Sequence, residues 1–136
     1  MGDSPENPMR STFHQTGSID VPVDTLDRYS ASKAISMIDL LKTDTQGFDL
    51  EVLKGAETFI TDHRVRCILL EINLLPMYDG QGAFSTLHSH LTDRGYRLVD
   101  FYNQVHQNGY TAWADALYIA APAVTCPPPH ILVADG

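Results

Sequence analysis

The chain has 136 residues, 43% of them hydrophobic and 19% charged, enough for one small domain with its own core. A net charge of −8 argues against a nucleic-acid partner held through clustered Lys and Arg, and against an anionic membrane surface. No apolar run approaches the length of a membrane span.

The opening residues "MGDSPENPMRS" are polar and Pro-rich, without the basic and apolar regions of a signal peptide. Residues 1–18 are expected to be disordered or loosely attached, and the Pro-rich tail 122–136 to be extended. The two cysteines, Cys67 and Cys126, lie far apart and form no CxxC or zinc spacing. Cys67 sits in an apolar run and reads as a small buried hydrophobe. The chain therefore reads as cytosolic.

Between these ends, residues 19–121 carry one continuous pattern. Ile19, Val21 and Val23 alternate, predicting a short strand. Thr25 or Asp24 is suited to cap a short helix carrying Leu26 and Tyr29. "MIDLLKTD" predicts a strand over Met37–Thr43. A helix is expected from about Asp49 to Asp62, because Val52, Ala56 and Phe59 form one apolar stripe with Leu53 and Ile60 beside it. Asp49 and Glu51 suit the positive end of its dipole. "VRCILLEIN", residues 65–73, is nearly all apolar, the type of strand buried on both faces of a parallel sheet.

After "PMYDGQG", Phe84, Leu87 and Leu91 mark another helix, closed by Gly95. "YRLVDFYNQ" and "DALYIAA" predict two strands with the turn signal Asn108-Gly109 between them. No helical pattern separates these two, so antiparallel pairing is expected. Strands alternating with helices otherwise imply an α/β fold with a mostly parallel sheet.

Ligands in open α/β sheets bind beyond the carboxyl ends of the strands. Asp44 stands at one such end, and Glu71 and Asn73 at the next. The two-residue spacing of Glu71 and Asn73 puts both on one face. If the strands pair, Asp44 and Glu71 converge. Such acids hold a hard cation with Asn73 as a neutral oxygen ligand, or serve as a general base toward a hydroxyl or amine. Structural readings stand beside these: Asp44 caps helix amides, and Glu71 pairs with Lys42 or Arg66.

Other features carry less. His88 and His90 point to different helix faces, and His14, His63, His106 and His130 show no partner. Tyr110, Trp113 and Tyr118 either line a pocket or belong to the core. Nucleotide-loop, zincin and nucleophile-elbow motifs are absent from the sequence.

"VPVDTLDRY", then "IDLLKTDTQGFDLEVLKGAE", then "ILLEIN" closely resemble the FkbM-type S-adenosylmethionine-dependent methyltransferases. "GYRLVDFYN" and "ADALYIA" resemble that family's closing strand pair, so the resemblance runs from Ile19 to Ala121. It implies part of a class I, Rossmann-like, three-layer methyltransferase domain. Met37–Thr43 would be its fourth strand and Val65–Asn73 its fifth. The last two segments would be the sixth and seventh, the seventh lying between the fifth and sixth.

The resemblance implies methyl transfer from S-adenosylmethionine to a hydroxyl of a sugar or secondary-metabolite acceptor. Asp44 and Glu71 would be catalytic, with Gln46 and Asn73 on the substrate; no metal ligand is assigned. The glycine-rich cofactor loop and ribose-binding acid of the first strands have no counterpart in the sequence, so a substrate-side half is expected. The outer edge of residues 37–43 would then be bare, an association site. Three things would cover it: Ile19–Val23 folding into place, a second copy of the chain in a homodimer, or a separate partner chain. The alternatives to an enzyme of this family are a non-catalytic half that associates with a partner or itself, and a metal-assisted hydrolase.

Overall fold

The computed structural model describes residues 17–75 and 82–121, and expectations for most of residues 1–18, the loop 76–81 and the tail 122–136 lie outside them. The elements are α1 (Leu26–Ser32), β1 (Ile38–Thr43), α2 (Asp49–Lys54), α3 (Glu57–Thr61), β2 (Val65–Asn73), α4 (Phe84–Thr92), β3 (Tyr96–Gln107) and β4 (Tyr110–Ala120). Thr25 caps α1 by accepting the Arg28 N–H through its hydroxyl.

Residues 19–23 form no strand. Their alternation has no face to bury, and Ile19 and Val23 are 86% and 89% exposed. They therefore do not fill the edge beside β1.

The single helix expected over residues 49–62 is two helices, α2 and α3, broken at Gly55 and Ala56. The apolar stripe continues in phase across the break, with Leu53, Ala56, Phe59 and Ile60 all buried. The cause is tertiary. The Asp27 N–H donates to the Gly55 carbonyl at 3.0 Å. Its carboxylate accepts the Thr58 and Phe59 N–H groups at 2.9 and 3.2 Å. Asp27 thus satisfies orphan groups on both sides of the break.

The four strands are ordered β1-β2-β4-β3. This is the order expected for the fourth, fifth, seventh and sixth strands of the resembled fold. The expected mostly parallel sheet is corrected: β1 and β2 pair parallel, but β2–β4 and β4–β3 pair antiparallel. The reason is the insertion of β4 between β2 and β3. It opposes both, although β1, β2 and β3 share one direction. The hairpin is also longer than expected. Its strands run up to Asn108-Gly109, where both residues have positive φ, 51° and 83°.

The expected three layers are two among the described residues. Ile68, Leu70 and Ile72 of β2 register with Tyr118, Ala116 and Ala114 of β4. These face Leu53, Phe59, Ile60, Leu87 and Leu91 of the helices in one core, against which Leu26 of α1 also packs. Each such buried Leu or Ile contributes about 1.5–3 kcal/mol of burial free energy. The Tyr96 hydroxyl donates to the Val65 carbonyl at 2.7 Å, and burial pushes its pKa up to about 12. Tyr118 is core, with its hydroxyl 3.0 Å from His88 Nδ1.

The opposite sheet face carries Leu40, Leu69, Leu117, Glu71, Asp115 and Cys67, with no described helix over it. Cys67 is accordingly half-buried rather than enclosed. No helix among the described residues is long and apolar enough to cross a membrane.

Candidate functional site

Parallel pairing of β1 and β2 brings Thr43 level with Leu70, so the residues following both strands meet at one edge of the sheet. Asp44 follows β1 directly. The chain then reverses through Gln46 and Gly47, whose φ values are 54° and 99°. Left-handed backbone at a residue other than glycine is uncommon and marks a constrained turn. Here it returns the Gln46 side chain toward the strand ends.

Gln46 Nε2 donates to Asp44 Oδ1 at 3.0 Å and reaches Glu71 Oε1 at 3.5 Å. Lys42 Nζ reaches Asp44 Oδ2 at 3.4 Å. Three of the four expected site residues, Asp44, Gln46 and Glu71, are therefore linked directly. Asn73 is buried two residues beyond Glu71, opposite Trp113 of β4.

The structural alternatives are not what forms. Among the described residues Asp44 bonds side chains rather than helix amides, and Phe48 at the N-cap of α2 gives no side-chain cap. Lys42 serves Asp44, and Arg66 pairs with Asp39 at 3.2 Å. The Lys42–Asp44 pair is open to solvent and is worth about 0–1 kcal/mol.

Burial is the main cause that raises the Glu71 pKa above the ordinary carboxylate value. The negative charges of Asp44, Asp115 and Asp49 add to it, and Lys42 opposes. Asp115 was not among the expected site residues. It lies directly across from Glu71 in the β2–β4 register, and Asn103 Nδ2 donates to its Oδ2 at 2.6 Å. The alternating pattern of residues 110–120 marks a strand, but the residue facing Glu71 depends on a register that no local signal specifies.

Asp49 was expected only to complement a helix dipole. It is 2% exposed, and its Oδ1 is buried without a hydrogen-bond partner among the described residues. Thr43 Oγ1 at the end of β1 and Thr45 Oγ1 in the β1–α2 connection are buried and unpartnered among the described residues as well. Each such atom costs about 1–3 kcal/mol, so this turn is a place where folding stability is given up.

The arrangement suits acid–base work on a polar acceptor: two strand-end carboxylates, one of raised proton affinity, joined by an amide. Among the described residues no three His, Cys, Asp or Glu side chains are placed to share a metal ion. Residues 2–98 match the sequence model of a family described as the methyltransferase FkbM domain. The match ends within β3, so Asn103 and Asp115 lie beyond it. No curated protein and no solved structure matches the chain.

Proposed function

Because the chain belongs to the FkbM methyltransferase domain family, we propose that it carries the acceptor side of methyl transfer to a hydroxyl group of a sugar or secondary-metabolite type molecule. The observation that carries this reading is the convergence of Asp44 and Glu71 on Gln46 at the ends of parallel strands. In such a reaction S-adenosylmethionine supplies the electrophilic methyl group. The residues of this chain orient the acceptor and take its proton.

Asp44 is held by Lys42 and Gln46, which suits it to orient the acceptor hydroxyl. Glu71 has the longer contact to Gln46 and a raised pKa, which suits it to accept the proton. Gln46 and Asn73 hold neighbouring polar groups of the acceptor. The family match does not identify residues for the nucleoside of the cofactor. No step is therefore routed through that group. The absence of a disulfide framework in a two-cysteine sequence supports a cytosolic location.

A second reading is favoured by one observation. β1 has a partner on one side only among the described residues, and its Leu40 is 55% exposed. An open apolar edge pairs with another strand, so a second copy or a separate chain would complete the sheet. The chain would then act as an associating half without chemistry of its own.

One experiment separates these readings: calorimetric titration of S-adenosylmethionine into the 136-residue chain, with its size measured on the same sample. Binding near micromolar, about −8 kcal/mol, with methyl transfer lost in Asp44→Asn and Glu71→Gln, supports the enzyme. A folded sample that binds none of it favours the associating half.

A further inference from the structure

β4 places Asp115 directly opposite Glu71 on the sheet face that carries the site. Side chains so opposed in an antiparallel pair stand about 5 Å apart at Cβ, close enough for like charges to repel. A second feature holds Asp115 in that position. The β3–β4 register shifts between Tyr102 and Val105, and Asn103 stands in this irregularity with φ 49°. A bulge re-aims a side chain, and Asn tolerates left-handed backbone better than most residues. The re-aimed Asn103 amide donates to Asp115 Oδ2 at 2.6 Å, a short charge-assisted bond.

Resting on the methyltransferase reading above, we infer that Asp115, clamped by Asn103, is a positioning residue that assigns the proton-accepting role to Glu71 rather than to Asp44. The groups facing Glu71 are Asp44 and Lys42 from β1 and its following turn, Asp49 from α2, and Asp115 from β4. Lys42 and Gln46 both lie against Asp44, at 3.4 and 3.0 Å. Among the described residues Glu71 is reached by Gln46 alone, at 3.5 Å, and faces three carboxylates. The acceptor O–H bond breaks, its proton passing to a Glu71 carboxylate oxygen and its electron pair staying on the acceptor oxygen. Asp115 touches neither; it acts through Glu71.

The test is a carbon-detected NMR titration of the Glu71 side-chain carboxyl in the full chain, for the native protein, Asp115→Asn and Asn103→Ala. Asp115→Asn keeps the shape and removes the charge, so the Glu71 midpoint is expected to fall part of the way toward the ordinary carboxylate range, burial and Asp44 still holding it up. Asn103→Ala frees Asp115 to turn away, so a smaller fall in the same direction is expected. Glu57, held by Arg94 on the helical side, is expected not to move and serves as the internal reference. An unmoved Glu71 midpoint in a folded Asp115→Asn variant overturns the inference. If that variant does not fold, an unmoved midpoint in Asn103→Ala overturns it instead. The titration uses neither methyl donor nor acceptor. An unmoved midpoint therefore leaves the methyltransferase reading standing, and absent cofactor binding leaves the Asp115–Glu71 coupling standing.

Discussion

Replacing Gly95 by alanine tests how α4 is joined to β3. Gly95 has φ +80°, and a Cβ there would lie 2.9 Å from His63 Nε2 and 3.1 Å from Cε1. The left-handed backbone costs an alanine about 1 kcal/mol. The contact adds a second cost, because the ring is not free to swing away. His63 Nε2–H donates to the Arg94 carbonyl at 2.7 Å, and the ring stands edge-on to Tyr96 with centroids 5.6 Å apart. Displacing it forfeits a hydrogen bond worth about 1 kcal/mol net. Gly95→Ala is therefore expected to cost about 2 kcal/mol in the native background, but only about 1 kcal/mol when His63→Ala has removed the ring. Urea unfolding measures both, with a shift of about 1 M in midpoint for the larger effect. Equal costs in the two backgrounds would refute the steric account, and no cost in either would refute the backbone account.

Asp27→Ala removes the acceptor of two α3 amide groups and is expected to destabilise by about 1–2 kcal/mol; an unchanged thermal midpoint would show that the helix break needs no cap. Ile68→Ala empties a fully buried position flanked by Leu41 and Tyr118, for an expected loss of about 2–5 kcal/mol in denaturant titration. Glu71 gives a pH signature. Its folded pKa is raised, so its contribution to stability is fully present below its ordinary pKa and is lost as pH rises through the folded value. Glu71→Gln should therefore stabilise the fold at neutral pH and have no such effect in acid; unfolding midpoints followed against pH check the sign, and a loss of stability at neutral pH would contradict it.

What the sequence makes legible here depends on how local each cause is. The run Val65–Asn73 reads correctly as a strand but not as one buried on both faces of a parallel sheet, because β4 pairs with it antiparallel and Cys67, Leu69 and Glu71 on its open face are only half-buried. Asp44 and Glu71 read correctly as convergent because strand-end position is enough to place them. The break at Gly55 is hidden because Leu53, Ala56 and Phe59 keep helical phase across it; the atoms that break it belong to Asp27, far away in the chain. Ile19–Val23 show a strand's alternation without the neighbour a strand requires. The turn at Asn108-Gly109 was legible, but counting back from it does not reach the right partners, because bulges shift the β3 register. Asn103 is therefore hidden from the sequence, and Asp115 is hidden for a related reason: its partner is on β2, a pairing no turn dictates.

The two acids of the site ride on strands of unequal security. β2 is paired on both sides, whereas β1 is paired with β2 alone among the described residues. Amide groups on a doubly paired inner strand exchange with solvent only through large openings, and those of a singly paired outer strand through small, frequent ones. Opening of β1 carries Asp44 and Gln46 away from Glu71 while β2, β3 and β4 stay joined. The bridge through Gln46 is therefore made and broken by a local fluctuation far smaller than unfolding. A strand pairing with the outer side of β1 would suppress that fluctuation, and so would set how much of the time the two carboxylates stand together.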